Sequence, residues 1–118
     1  MGLDQYAYTR EKIKEQDPDF YWRKHSKLQA FMENIWYNEL GNEHDINCQE
    51  LVLTKEMLEK LLHDLDNNNL PKSDGGLFYG HQFQDESAKE YHEQDIKFCK
   101  DSLKAIDDGM EVIYSCWY

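Results

Sequence analysis

The chain has 118 residues and carries 13 Lys+Arg against 24 Asp+Glu, a formal net charge of −11. That length holds one domain, residues 1–118, able to bury roughly two-thirds of the surface it exposes when unfolded. An aromatic content of 14% with only 6 Gly and 2 Pro excludes a disordered acidic tail or a fibrous chain. The charge repels phosphate backbones and anionic lipid, so direct nucleic-acid binding and membrane-surface binding are not expected.

The acidity is uneven: residues 1–47 have a net charge of −3 and residues 48–118 of −8. Such a field steers the chain towards a partner with a basic surface. The same acidity also serves solubility alone. The cysteines are Cys48, Cys99 and Cys116, with no CxxC pair. An odd, scattered set reads as reduced, mostly buried thiols of a cytoplasmic protein. The opening Met1 to Tyr6 lacks the basic and apolar regions of a signal peptide, and the apolar runs are too short to span a membrane.

In chain order, Leu3 to Tyr8 is rich in tyrosine and reads as a first strand. Pro18 disfavours helix at Asp17, and Asp19 offers an N-cap, so a helix is expected from Phe20 to Glu39. Tyr21, His25, Leu28, Met32, Ile35 and Trp36 form its apolar stripe, and Gly41 stops it. Leu51–Leu53 is a short buried strand. Thr54 caps a second helix whose core face is Leu58, Leu61, Leu62 and Leu65. Leu77–Tyr79, after the Ser73–Gly76 turn, is a third strand.

A third helix, capped by Asp85 or Ser87, runs to about Asp107 with the stripe His92, Ile96, Cys99, Leu103 and Ile106. Gly109 ends it. The residues from Glu111 to Tyr118 make the last strand, expected to be well paired, with Trp117 largely buried. Three helices on a short sheet of three to four strands give an α+β fold with the helices on one sheet face.

The block Phe20-Tyr21-Trp22-Arg23-Lys24-His25 concentrates aromatics and bases at a helix start. A helix N-terminus favours an anion, Arg23 can grip a phosphate or carboxylate with Lys24 and His25 as further contacts, and Tyr21, Trp22 or Tyr79 can stack on a base. His25 and His92 each sit near the N-terminal end of a helix stripe and converge if the helices lie side by side. The candidate ligand-binding set is therefore Tyr21, Arg23, His25, Tyr79 and His92. Because successive helical residues lie about 100° apart, Tyr21 and His25 form the expected inward pair.

The plainer reading makes Arg23 part of a solvated face and each histidine a hydrogen-bonded residue at the core edge. His92 and Asp95 could share a metal at i,i+3, but no closed four-ligand site is legible, so no metal and no cofactor are expected. The acidic run from Asp64 fails as a calcium loop, since Asn69 and Gly75 stand where glycine and glutamate are required. No phosphate-cradling glycine loop and no nucleophile elbow occur, so no catalytic residues are assigned.

The opening Met1-Gly2-Leu3-Asp4-Gln5-Tyr6-Ala7-Tyr8, the Phe20–His25 block, the Gly75–Gly80 turn and the ending Tyr114-Ser115-Cys116-Trp117 together resemble a family of short proteins found mainly in tailed bacteriophages and their hosts. The resemblance spans nearly the full chain. It implies a phage or prophage origin, the host cytoplasm as location and an accessory role, and it transfers no catalytic residues. The expected function is that of a small acidic binding module acting on a host protein with a basic surface, such as a defence or nucleic-acid-handling factor. The alternative is a pocket protein, enzyme or sponge, that binds a small anionic ligand such as a nucleotide. A homo-oligomeric structural piece is the third reading.

Overall fold

Alternation along the strands decides which side chains meet. A computed structural model describes residues 2–9, 18–73 and 83–118. Strands β1 (Asp4–Thr9), β2 (Phe20–Arg23), β3 (Leu51–Leu53) and β4 (Val112–Trp117) form one antiparallel sheet in the order β2-β1-β4-β3. The last strand is therefore internal, paired with β1 through Gln5↔Cys116 and Ala7↔Tyr114, and with β3 through Leu51↔Tyr114.

The core cluster draws its strand residues from one face only. Leu3, Ala7, Trp22, Leu51, Leu53, Val112, Tyr114 and Cys116 point towards the helices. Their neighbours along each strand point the other way. The fold is α+β, with helices α1 (Ser26–Glu33), α2 (Lys55–Asp66), α3 (Gln84–Glu90) and α4 (His92–Asp107) among the described residues.

The expected helix from Phe20 to Glu39 is corrected. Phe20–Arg23 is a strand, paired with β1 at Tyr6↔Tyr21 and Gln5↔Trp22. The helical stripe placed Tyr21 inside, but strand alternation buries Trp22 and exposes Tyr21 and Arg23. Lys24 then adopts a left-handed φ of 54° and reverses the chain, so that α1 starts only at Ser26. Its last turn widens into a π-helical segment, Asn34–Glu39, in which adjacent Ile35 and Trp36 are both buried. Gly41, at φ 69°, ends it as expected.

The second helix forms as expected. Thr54 caps it by accepting from the Met57 amide at 3.3 Å, and Leu58, Leu61 and Leu65 are buried. The single helix expected up to Asp107 is instead broken at Tyr91, whose φ of −92° and ψ of 1° leave the helical range. The buried face of α4 is Asp95, Phe98, Cys99 and Ser102, with Ile96, Leu103 and Ile106 only partly buried. Asp95 turns that face inward because its carboxylate is bonded inside the core. The strand expected at Leu77–Tyr79 lies outside the described residues.

Trp117 is also corrected. It is 62% exposed, because alternation sends Tyr114 and Cys116 to the core and Trp117 to the opposite face. Replacing it with alanine should therefore shift stability by no more than about 0.5 kcal/mol. Leu61→Ala, at a fully buried position of α2, should cost about 2–5 kcal/mol. Urea unfolding of the two variants measures both values.

Candidate functional site

The residues singled out from sequence do not converge. Tyr21 and Arg23 lie on the open face of the sheet. His25, one reversed residue later, points into the core and is fully buried. His92 lines a separate cleft of about 490 Å³ with Lys27, Leu65, Leu70, Asp85 and Lys89. Tyr79 lies outside the described residues.

His25 anchors a buried polar cluster. Its Nε2 is hydrogen-bonded to Asp95 Oδ2 at 2.6 Å, and the other carboxylate oxygen accepts from Trp22 Nε1 at 2.8 Å. Three elements, β2, the start of α1, and α4, are thus joined on one carboxylate. The Tyr91 ring stacks on the imidazole with centroids 5.3 Å apart, and its hydroxyl accepts from the Arg23 amide at 3.1 Å. The helix break at Tyr91 places that ring there.

Gln5 bridges this cluster to a second one. Its amide oxygen accepts from the His25 backbone N–H at 2.9 Å. Its nitrogen donates to the His25 carbonyl at 3.1 Å and to the Tyr114 hydroxyl at 3.0 Å. Tyr114 in turn donates to Gln29 Oε1, and Gln29 donates to Glu33 Oε2 at 3.1 Å and to Cys116 Sγ at 3.4 Å. Gln5, Tyr114, Gln29 and Cys116 thus satisfy one another's polar ends within the core.

A histidine held by a carboxylate is the arrangement a general base uses. Here both side chains have no accessible surface, and neither lines the Lys27–His92 cleft or the Arg23–Trp117 cleft described below. His25 Nδ1 and Ser26 Oγ are buried without a partner. The sharing of a metal by His92 and Asp95 has no support, since Asp95 is committed to Trp22 and His25. Among the described residues no three His, Cys, Asp or Glu side chains gather closely enough to hold a metal ion. No described helix is long and apolar enough to cross a membrane.

The thiols fall into two kinds. Burial, reinforced by the charges of Asp95 and Asp66, pushes Cys99 up to about 12. Burial also pushes Cys116 up to about 12, against a lowering hydrogen bond from Gln29. The hydroxyl of Tyr114 is raised by burial as well. Cys48 is exposed.

The open face carries a second arrangement that the sequence did not disclose. Three rows cross it. Arg23, Asp4 and Trp117 are aligned on β2, β1 and β4, then Tyr21, Tyr6 and Ser115. Tyr8, Ile113 and Val52 follow on β1, β4 and β3, but this third row is not open, since Ile113 is 1% exposed; only the first two rows face outward freely. Tyr21 donates to Asp4 Oδ1 at 2.6 Å, which raises the Tyr21 hydroxyl above its ordinary range, and Arg23 stands 3.7 Å from the same oxygen. The Tyr6 and Tyr21 rings meet at 5.5 Å. A cleft of about 230 Å³ between Gly2, Asp4, Arg23, Trp117 and Tyr118 borders the first row. Gln5 on the core side of an alternating strand was the legible sign of the inner network. The outer face needed the strand at Phe20–Arg23, which the helical pattern concealed.

Two measurements check the interior. Asp95→Ala strands two buried partners and should cost about 1–3 kcal/mol for each. Asp101→Ala removes only the exposed Lys97–Asp101 pair and should cost less than about 0.5 kcal/mol in the same urea titration. A thiol reagent should modify Cys48 in the folded chain, and Cys99 and Cys116 only after unfolding. Because the folded chain keeps thiol protons that the unfolded chain releases near pH 9, stability present below that pH should fall between about pH 9 and 12. Urea midpoints measured across that range test the sign.

Comparison with known proteins gives no match: no family model, no curated protein and no solved structure is similar to the chain.

Proposed function

We propose that the chain is a small acidic binding module whose partner is a protein with a basic surface. The observation that carries this reading is the net charge of −11 on a fold whose His–Asp pair is sealed in the core. The field acts at a distance on association, whereas a catalytic role would require the pair to reach a substrate. With the phage-like resemblance of its sequence, the partner is a host protein, in the manner of an inhibitor of a defence or nucleic-acid-handling factor. The small-anion alternative draws less support, since of the residues it would use Arg23 is exposed and His25 fully buried.

Calorimetric titration with a short peptide of alternating arginine and leucine tests the reading, with the glutamate–leucine counterpart as control. The basic peptide should bind and weaken as salt rises from low to physiological strength, while the acidic one should not bind. Absence of binding by the basic peptide, or equal binding by both, overturns the reading.

A further inference from the structure

We infer that the open face of the sheet is the docking surface for that basic protein, with Trp117 and Tyr21 as its anchors and Tyr6 between them. This inference rests on the acidic-module reading and adds the place of contact. Trp, Tyr and Arg are the residue types that carry most of the binding energy at protein interfaces. Here one of the first, two of the second and Arg23 occupy adjacent register positions on a single face. Trp117 is 62% exposed and Tyr21 44% exposed, although β4 is internal to the sheet and β1 separates it from β2. The other tryptophans, Trp22 and Trp36, are buried.

The anchors are held before any partner arrives. Tyr21 is fixed by its hydrogen bond to Asp4, Arg23 stands against the same carboxylate, and each strand residue is set by sheet pairing. Less freedom is lost on binding when side chains are already ordered.

Charge decides the occupant. Arg23 stands against Asp4, and Lys24 lies beside Gly2 at the rim, so these rows carry no negative excess of their own, while the chain as a whole is at −11. A partner seated there meets an uncharged aromatic centre inside a negative field. Arginine and lysine side chains suit both parts, because a cation over a tyrosine or tryptophan ring is attracted by the ring face as well as by the field. A second copy of the chain would bring another −11 to the same interface. A nucleic acid would bring phosphates into the same field. The edges of the sheet offer little for strand addition, since β2 has 4 residues and β3 has 3.

The test uses the arginine–leucine peptide on the full chain and on Trp117→Ala, Tyr21→Ala and Leu40→Ala. Leu40 is an exposed apolar residue at the end of the π-helical segment, outside the strands. Circular dichroism and urea midpoints establish that each variant is folded. Both face variants should bind about tenfold or more weakly, and Leu40→Ala should bind as the parent does. The exposed Trp117 should change fluorescence on binding, a signal absent from Trp117→Ala.

If the parent binds the peptide with salt dependence and all three variants bind equally, the face is not the docking surface and the acidic-module reading stands. If the parent does not bind the peptide, both fail. Dimerisation in sizing chromatography that Trp117→Ala abolishes would make a second copy the occupant and overturn the inference. Tighter binding of single-stranded thymidine oligonucleotide than of the peptide would overturn it as well.

Discussion

One carboxylate organises this fold. Asp95, fully buried on α4, accepts from the indole of Trp22 on β2 and bonds the imidazole of His25 at the start of α1. A buried charge or dipole without partners is costly, so the three elements are constrained to meet there. The rotation of α4 follows from this, because its core face must include Asp95 rather than His92. Between Trp22 on a strand and His25 at a helix start, both bonded to Asp95, the chain passes through the left-handed Lys24.

The Gln5–Tyr114–Gln29 network extends the same logic along the sheet. Gln5 binds both backbone groups of His25, which ties the β1 register to the start of α1. Tyr114 carries the connection to Gln29 in α1 and to the internal strand β4. A slip of one residue in β1 would send Gln5 to the open face and Tyr6 into the core, and would leave several polar atoms unpaired at once. The inner network therefore specifies the register that assembles the outer rows of Arg23, Asp4 and Trp117, and of Tyr21 and Tyr6. Core and surface are two readings of one alternation.

The division bears on function. The groups with catalytic character are on the inner side and closed off. On the outer side, Trp117 and Tyr21 are exposed. In the proposed reading, long-range attraction comes from the acidic body and short-range contact from the aromatic rows, so that charge would set the rate of encounter and the rings the rate of release.

Composition and period alone determined the acidic character, the α+β class, the leucine face of α2, the strand Leu51–Leu53, and the glycine stops at Gly41 and Gly109. Each is a local property, legible because propensity, capping or a positive φ at glycine is decided by neighbours in sequence. The segment Phe20–Arg23 was not legible, because its aromatic spacing satisfies a helical stripe as well as a strand, and only pairing with β1 selects between them. The same pairing exposed Tyr21 and Arg23 while His25 is buried, and alternation along β4 exposed Trp117. In the sequence, Asp95 stood out only as a candidate metal partner of His92. Its role came from Trp22 and His25, more than sixty residues distant along the chain, and such long-range partners are fixed by tertiary packing rather than by any local pattern.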